Sequence, residues 1–323
     1  MLTGKKFFIT GGAGFIGTNL IGRLLDGNRV TVYDNLARNS LKDSGLEGRP
    51  GLEVIRGDLL DFDSLLAALP KDTTHLVHLA AVAGIDTVIK NPVRTIEVNT
   101  IGTYNLLRAV QAAGLTEGLE RLLDFSTSEV FGINAFRVEE KTPPRMQPVG
   151  EARWTYSVSK LAAEHLTHAF YKQHGLRSVI LRPFNIYGPG QVGEGAIHHF
   201  VLRALRHEPL TVHGEGEQIR SWCYIDDLLD GLQLCLEKEA AVGEAFNIGN
   251  PRGTITILGL AEKVVQLAGS RSAIVHAPRN YVDVELRIPN IDKARQVLGF
   301  APKVDLNEGI LRTLDWYRRS LSL

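Results

Sequence analysis

The sequence is poor in cysteine and has no excess of charge of either sign. Cys223 and Cys235, the only two cysteines in 323 residues, are too few for a disulfide framework and lack the spacing of a zinc site. Free thiols in a reducing compartment are therefore expected. The 36 Lys+Arg are balanced by 36 Asp+Glu, which removes the basic footprint of a nucleic-acid binder, and no nucleic-acid partner is expected. No apolar run approaches the length of about 18 residues needed for a membrane-spanning helix, so no membrane association is expected either. The opening segment, Met1-Leu2-Thr3-Gly4-Lys5-Lys6-Phe7, leads straight into a strand-like stretch without an apolar signal core, which points to the cytoplasm. Repeats, low-complexity tracts and long charge runs are also missing. What remains, with 44% hydrophobic residues, is a chain long enough to bury a sizeable core.

Short apolar runs alternate with amphipathic stretches through the first half. Strands are predicted at 5–10, 29–34, 52–56, 75–80, 121–126 and 178–183, and helices at 15–26, 63–69, 91–113 and 156–175. That alternation implies an α/β fold, a parallel sheet covered by helices on both faces. Beyond Asn185, Gly and Pro become denser. Short strands are predicted at 210–213 and 245–248 and helices at 225–237, 257–268, 292–298 and 306–318, giving a smaller C-terminal lobe from which one late strand returns to the main sheet. The division expected is residues 1–185 and 186–323.

The first strand runs into Gly11-Gly12-Ala13-Gly14-Phe15-Ile16-Gly17. Glycines at 11, 14 and 17 let the backbone turn tightly and admit a pyrophosphate to a helix N-terminus, where free N–H groups and the positive end of the dipole meet the anion. The second strand ends in Asp34, at the interval where a carboxylate meets the adenosine ribose. It would accept hydrogen bonds from the ribose hydroxyls and repel a 2′-phosphate, favouring NAD over NADP, although Arg38 close by blurs that preference. Asp34 could instead serve as a cap or turn residue. Asp58, in Gly57-Asp58-Leu59, could reach the adenine or cap a short helix.

Tyr156 and Lys160 are four apart and share one helix face. A nearby ammonium and a bound nicotinamide would both stabilise a phenolate, so the Tyr156 pKa is expected well below its reference of about 10. Such a base removes the proton of a sugar hydroxyl while hydride leaves the same carbon. The strand end Ser126-Thr127-Ser128-Glu129 adds a hydroxyl, Thr127, to share that proton, and a carboxylate, Glu129, for acid–base work on an adjacent carbon. A solvated polar loop and an ordinary exposed Tyr–Lys pair are the alternatives. His198 and His199 read as residues of a lobe helix, because an adjacent pair lacks a third ligand; no metal is expected.

The combination of Thr-Gly-Gly-Ala-Gly-Phe-Ile-Gly (10–17), Asp34, His78-Leu79-Ala80-Ala81, Ser126-Thr127-Ser128-Glu129-Val130-Phe131-Gly132, Tyr156-x-x-x-Lys160 and Arg182-Pro183-Phe184-Asn185-Ile186-Tyr187-Gly188-Pro189 resembles the extended short-chain dehydrogenases/reductases. More narrowly, it resembles their nucleotide-sugar epimerase/dehydratase/decarboxylase group. Gly214-Glu215-Gly216-Glu217-Gln218-Ile219-Arg220 and Tyr224-Ile225-Asp226-Asp227 extend the likeness over nearly the whole chain. The resemblance implies a Rossmann-type doubly wound sheet with a substrate-binding lobe and NAD as cofactor. It also implies a nucleotide-diphosphate sugar, expected to be UDP-linked, as substrate, and a homodimer built on helices 91–113 and 156–175. Thr127, Tyr156 and Lys160 would form the hydride-transfer triad, with Lys160 also holding the nicotinamide ribose. Pro183 would lie beside the nicotinamide, and Asn99 would support the active-site helix. Phe15, Ile16, Asn35, Leu59, Leu79, Ala80, Ala81 and Ser126 are expected along the cofactor. Ser128, Asn185 and Arg220 are expected on the sugar nucleotide, the last because a guanidinium fork suits phosphate.

The group is expected to oxidise the sugar at C4 and to diverge after that step. Glu129 argues against a plain 4-epimerase. A 4,6-dehydratase commonly carries Asp beside its catalytic Glu, where Ser128 stands here. Arg153 and Arg287 resemble decarboxylase positions that could meet a sugar carboxylate, though each could be a surface arginine. The leading expectation is a UDP-glucuronate decarboxylase, with a 4,6-dehydratase and a 4-epimerase as alternatives. A non-catalytic NAD(H) sensor is the alternative of another class, and keeping Thr127, Tyr156 and Lys160 together counts against it.

Overall fold

A computed structural model describes residues 2–279 and 282–321. Its centre is a seven-stranded sheet in which every neighbouring pair is parallel. In chain order its strands are β1 (Lys6–Thr10), β2 (Arg29–Asp34), β3 (Leu52–Arg56), β4 (His75–His78), β5 (Arg121–Phe125), β6 (Ser178–Pro183) and β7 (Ala245–Ile248). They lie side by side as β7-β6-β5-β4-β1-β2-β3. Alternation along β1 explains the two covered faces: Phe7 and Ile9 pack into one core with Ile21, Val32 and Val77, whereas Phe8 joins Tyr33, Leu76 and Leu106 in the other. β7 is the late strand returning to the main sheet, with Ala245 opposite Ile180 and Ile248 opposite Pro183. The chain builds outward from β1 to β3, then crosses back to lay β4 on the other side of β1. The carboxyl ends of β1 and β4 therefore flank the crevice where a doubly wound sheet binds its ligand.

A second sheet of four short strands, Thr254–Thr256, Ile219–Ser221, Leu286–Pro289 and Asn134–Val138, sits over that end. Its last strand comes from the first half of the chain. Expected helices 225–237 and 257–268 appear as Ile225–Glu237 and Ile257–Ala268, the latter capped by Thr256 Oγ1 accepting from Gly259 N at 3.0 Å. The predicted helix 91–113 is not continuous. Pro92 starts a short turn of helix, Pro92–Ile96, which widens into a π-helix, Glu97–Gly102, before Thr103–Ala112. The wide turn is held where the buried Asn99 side chain bonds outside the helix: its Nδ2 donates to Val82 O at 3.0 Å and its Oδ1 accepts from Val82 N at 2.7 Å. A separate helix, Ile85–Lys90, precedes it and has no periodic signal long enough to announce it.

Candidate active site

The turn between β1 and the helix Phe15–Leu24 is shaped by missing side chains. Gly11 has φ +72°, and a Cβ there would lie inside 3.0 Å of the Ala80 backbone. Gly14, at the helix N-cap position, supplies no side-chain cap, so the first N–H groups face the crevice. A cavity of about 540 Å³ opens there and runs past Asp34, Asp58 and Leu79 to Thr127, Tyr156 and Pro183. All the residues expected along the cofactor line it except Asn99 and Lys160, which are buried behind it. We expect Gly11→Ala to cost roughly 1–3 kcal/mol in backbone strain alone. It should also abolish the gain in melting temperature that NAD gives the native protein.

Asp34 does not cap a helix. Its Oδ2 accepts from Ala13 N at 3.0 Å and its Oδ1 from Leu36 N at 2.7 Å, which ties the second strand to the glycine turn. Burial raises its pKa in spite of these two bonds. Asp58 does not cap either, since the N-cap of Phe62–Ala68 is Asp61, which accepts from Ser64 N at 3.0 Å. Asp58 instead accepts from Leu60 N, pairs with Arg94 and lines the cavity.

The long helix Ala152–His174 brings Tyr156, Lys160 and Glu164 to the end of β5. Tyr156 shares a side-chain hydrogen bond with Thr127, whose Oγ1 also accepts from Glu129 N at 3.1 Å. Ser126 donates to Glu164, which holds Arg182 through two further bonds. In the protein alone the Tyr156 phenol does not show the fall expected with nicotinamide bound. Burial of the phenol pushes it up to about 12, with Thr127 and the charge of Arg287 acting downward and that of Glu129 upward. Lys160 shares the face and is buried, its Nζ lying 3.9 Å from Asp124 Oδ1. Helical spacing fixes the face, and the carboxylate beside the lysine is on β5.

Glu129 meets two guanidinium groups. Its Oε1 accepts from Arg153 Nη2 at 3.0 Å and from Arg287 Nη1, while Arg287 Nη2 donates to Gly132 O at 2.8 Å. Neither arginine is a surface residue: the Arg287 side chain is 1% exposed and that of Arg153 11%. Burial would push the Glu129 carboxyl up, but the charges and hydrogen bonds of Arg287 and Arg153 outweigh it and hold it at about 2. Asp283 continues the network, its Oδ1 lying 2.9 Å from Arg153 Nη1 and 3.2 Å from Arg220 Nη2. Because Glu129 titrates lower in the folded state than its ordinary 4.5, the pairing stabilises the fold above that pH and the contribution is lost as pH falls towards 2. Melting curves of native protein should therefore decline more steeply over that range than those of Glu129→Gln.

Asn185 is held in the left-handed region, φ +43°, by Nδ2 donating to Ser221 O at 2.9 Å, and lines the cavity with Ser128 and Glu129. Arg153 and Arg287 reach the cavity edge through Glu129, and Arg220 joins them through Asp283. Sequence reasoning missed Asp124, Asp283, Thr87 and Glu194. They lie on segments with no motif, and only folding brings them to the site.

A glycine-built cradle at a sheet switch point, leading to a buried hydroxyl pair and a carboxylate gripped by arginines, defines a dinucleotide-dependent enzyme that acts on a small molecule. The chain belongs to the NAD dependent epimerase/dehydratase family, whose pattern matches residues 7–249. Among its relatives, UDP-glucuronic acid decarboxylase 5 of Arabidopsis thaliana is 37% identical over 312 residues, 94% of this chain and 87% of that protein. UDP-glucuronic acid decarboxylase 1 of Xenopus tropicalis is 34% identical over 322 residues, 98% of this chain and 73% of that one. The crystal structure of UDP-glucuronic acid 4-epimerase from Bacillus cereus, in complex with UDP-glucuronic acid and NAD, matches with a TM-score of 0.87 at 30% identity, covering 97% of this chain and 99% of that one.

Proposed function

We propose that this enzyme decarboxylates UDP-glucuronic acid by way of a 4-keto sugar. The observation that carries this reading is Glu129 held by Arg153 and Arg287 beside the Thr127–Tyr156 pair, at the end of the dinucleotide cavity. The cradle fits NAD on structural grounds, because Gly11, Gly14 and Gly17 line the cavity with bare backbone and the helix N-terminus there has no side-chain cap. When bound, NAD supplies the acceptor for the hydrogen at sugar C4, so that a ketone forms there.

Tyr156 takes the proton of the C4 hydroxyl and Thr127 holds the same oxygen. Lys160, one turn along the helix and paired with Asp124, keeps a buried positive charge below them. A carboxylate attached to C5 is β to the C4 ketone, so it leaves as CO₂ with its electron pair delocalised into the carbonyl. Arg153 and Arg287 are the groups that meet that carboxylate. Its arrival competes with Glu129 for their hydrogen bonds and sets a second negative charge beside it, which raises the affinity of Glu129 for a proton. Glu129 is then able to assist protonation at C5. Arg220 and Asn185 take the diphosphate and adjoining sugar. We assign the catalytic and most cofactor-binding residues to 1–185 and a mainly sugar-nucleotide-binding role to 186–323.

The protein is further proposed to be a homodimer. Ile89, Val93, Ile96, Ile101 and Tyr104 are exposed on helical segments packed against Ala152–His174, whose Val158 is exposed as well, and pairing would bury this apolar face. Two buried, unpaired cysteines suit a reducing compartment such as the cytoplasm. Incubation with UDP-glucuronic acid and NAD should release CO₂ and yield a UDP-pentose or its 4-keto form. Inert UDP-glucuronic acid together with dehydration of a nucleotide hexose would overturn the reading in favour of a 4,6-dehydratase.

A further inference from the structure

We infer that Glu194 is a specificity-determining residue for the dinucleotide: it engages the Arg38 guanidinium and so denies it to a 2′-phosphate. The inference rests on the placement of the adenosine ribose at Asp34. Arg38 follows Asp34 by four residues, and both line the cavity. An arginine left free there would pair with a 2′-phosphate through its planar fork and offset the repulsion from Asp34.

The structure gives that guanidinium other partners. Arg38 Nη2 donates to Thr87 Oγ1 at 2.8 Å and to Glu194 Oε1 at 3.4 Å. Glu194 is itself fixed: its Oε2 accepts from Asp86 N at 2.9 Å, and its Oε1 from Thr87 N at 3.1 Å and Thr87 Oγ1 at 2.8 Å. Glycines make the arrangement possible. A Cβ on Gly84 would stand 2.5 Å from Glu194 Oε1, and one on Gly193 would stand 3.1 Å from Arg38 Cζ. Three segments distant in sequence thus close on one guanidinium at the wall of the cavity.

The Arg38–Glu194 pair is 38% and 25% exposed, so it contributes little to stability. Its effect is on selectivity, where charge placement matters more than net binding energy. With Arg38 already engaged by Glu194 and Thr87, a 2′-phosphate would meet the Asp34 carboxylate without a free guanidinium to offset it. Removing the Glu194 charge frees Arg38 to pair with that phosphate.

NADH and NADPH titrations of the full chain, read by nicotinamide fluorescence, test this. In Glu194→Gln the ratio of the NADPH to the NADH dissociation constant should fall about tenfold from the native value. Thr87→Ala, which removes the other anchor, should move it the same way by less and serves if Glu194→Gln does not fold. Adding Arg38→Ala to Glu194→Gln should restore the native ratio. An unchanged ratio in both single variants overturns the proposal, as does a fall that persists without Arg38. Asp34→Asn separates the two failures. If it raises relative NADPH binding while the Glu194 and Thr87 variants do not, only the role of Glu194 fails; if it too changes nothing, the ribose placement fails.

Discussion

Replacing Tyr156 with Phe should lower turnover of UDP-glucuronic acid by roughly 10²- to 10⁴-fold, the usual worth of a positioned proton acceptor, while NAD binding persists. The phenol lies in the cavity, hydrogen-bonded to Thr127, and burial holds it at about 12 in the protein alone. It is therefore protonated at neutral pH, and its work as a base requires positive charge close by when cofactor and substrate are in place. Two consequences can be measured. The rate should rise with pH through the value at which Tyr156 loses its proton in the complex. Thr127→Val should shift that limb upward, because the bond from Thr127 acts to lower the phenol's pKa. If Tyr156→Phe turns over at the native rate, Tyr156 is not the base.

Arg287→Met should be the most damaging change on the substrate side. The side chain is 1% exposed and joins Glu129 to the backbone of Gly132. Its loss leaves a buried carboxylate with only Arg153 beside it, and removing one partner of a buried pair typically costs about 3–5 kcal/mol. Burial lowers the pKa of Arg287 itself, with the Glu129 charge opposing. We expect loss of both stability and decarboxylation. Glu129→Gln with Arg287→Met should recover much of the lost stability and none of the activity, separating the folding role from the chemical one. Recovery of activity in the double variant would contradict the assignment of Arg287 to the sugar carboxylate.

The parts of this site legible in the sequence are local. The glycine turn and Asp34 each follow the end of a strand, where the chain direction is fixed by β1 and β2, and both appear at the crevice. Tyr156 and Thr127 were legible because a helix face and a strand end each admit few orientations. The Lys160 contact was not, since it involves Asp124, a carboxylate 36 positions earlier inside a buried strand. The lowered pKa of Glu129 was equally hidden: it depends on Arg287, 158 positions away on the second sheet. The π-helix at Glu97–Gly102 has no signature in hydrophobic periodicity, because Asn99 and its partner Val82 fix it through side-chain to backbone bonds.

In the proposed mechanism, C4 oxidation precedes loss of the carboxyl group. The most direct test is turnover of UDP-glucuronic acid carrying deuterium at C4, with CO₂ release and the mass of the sugar product followed together. The account predicts slower CO₂ release than from unlabelled substrate and a product that has lost its carboxyl carbon. CO₂ release at an unchanged rate, or a product that keeps its carboxyl group with C4 inverted, would contradict it.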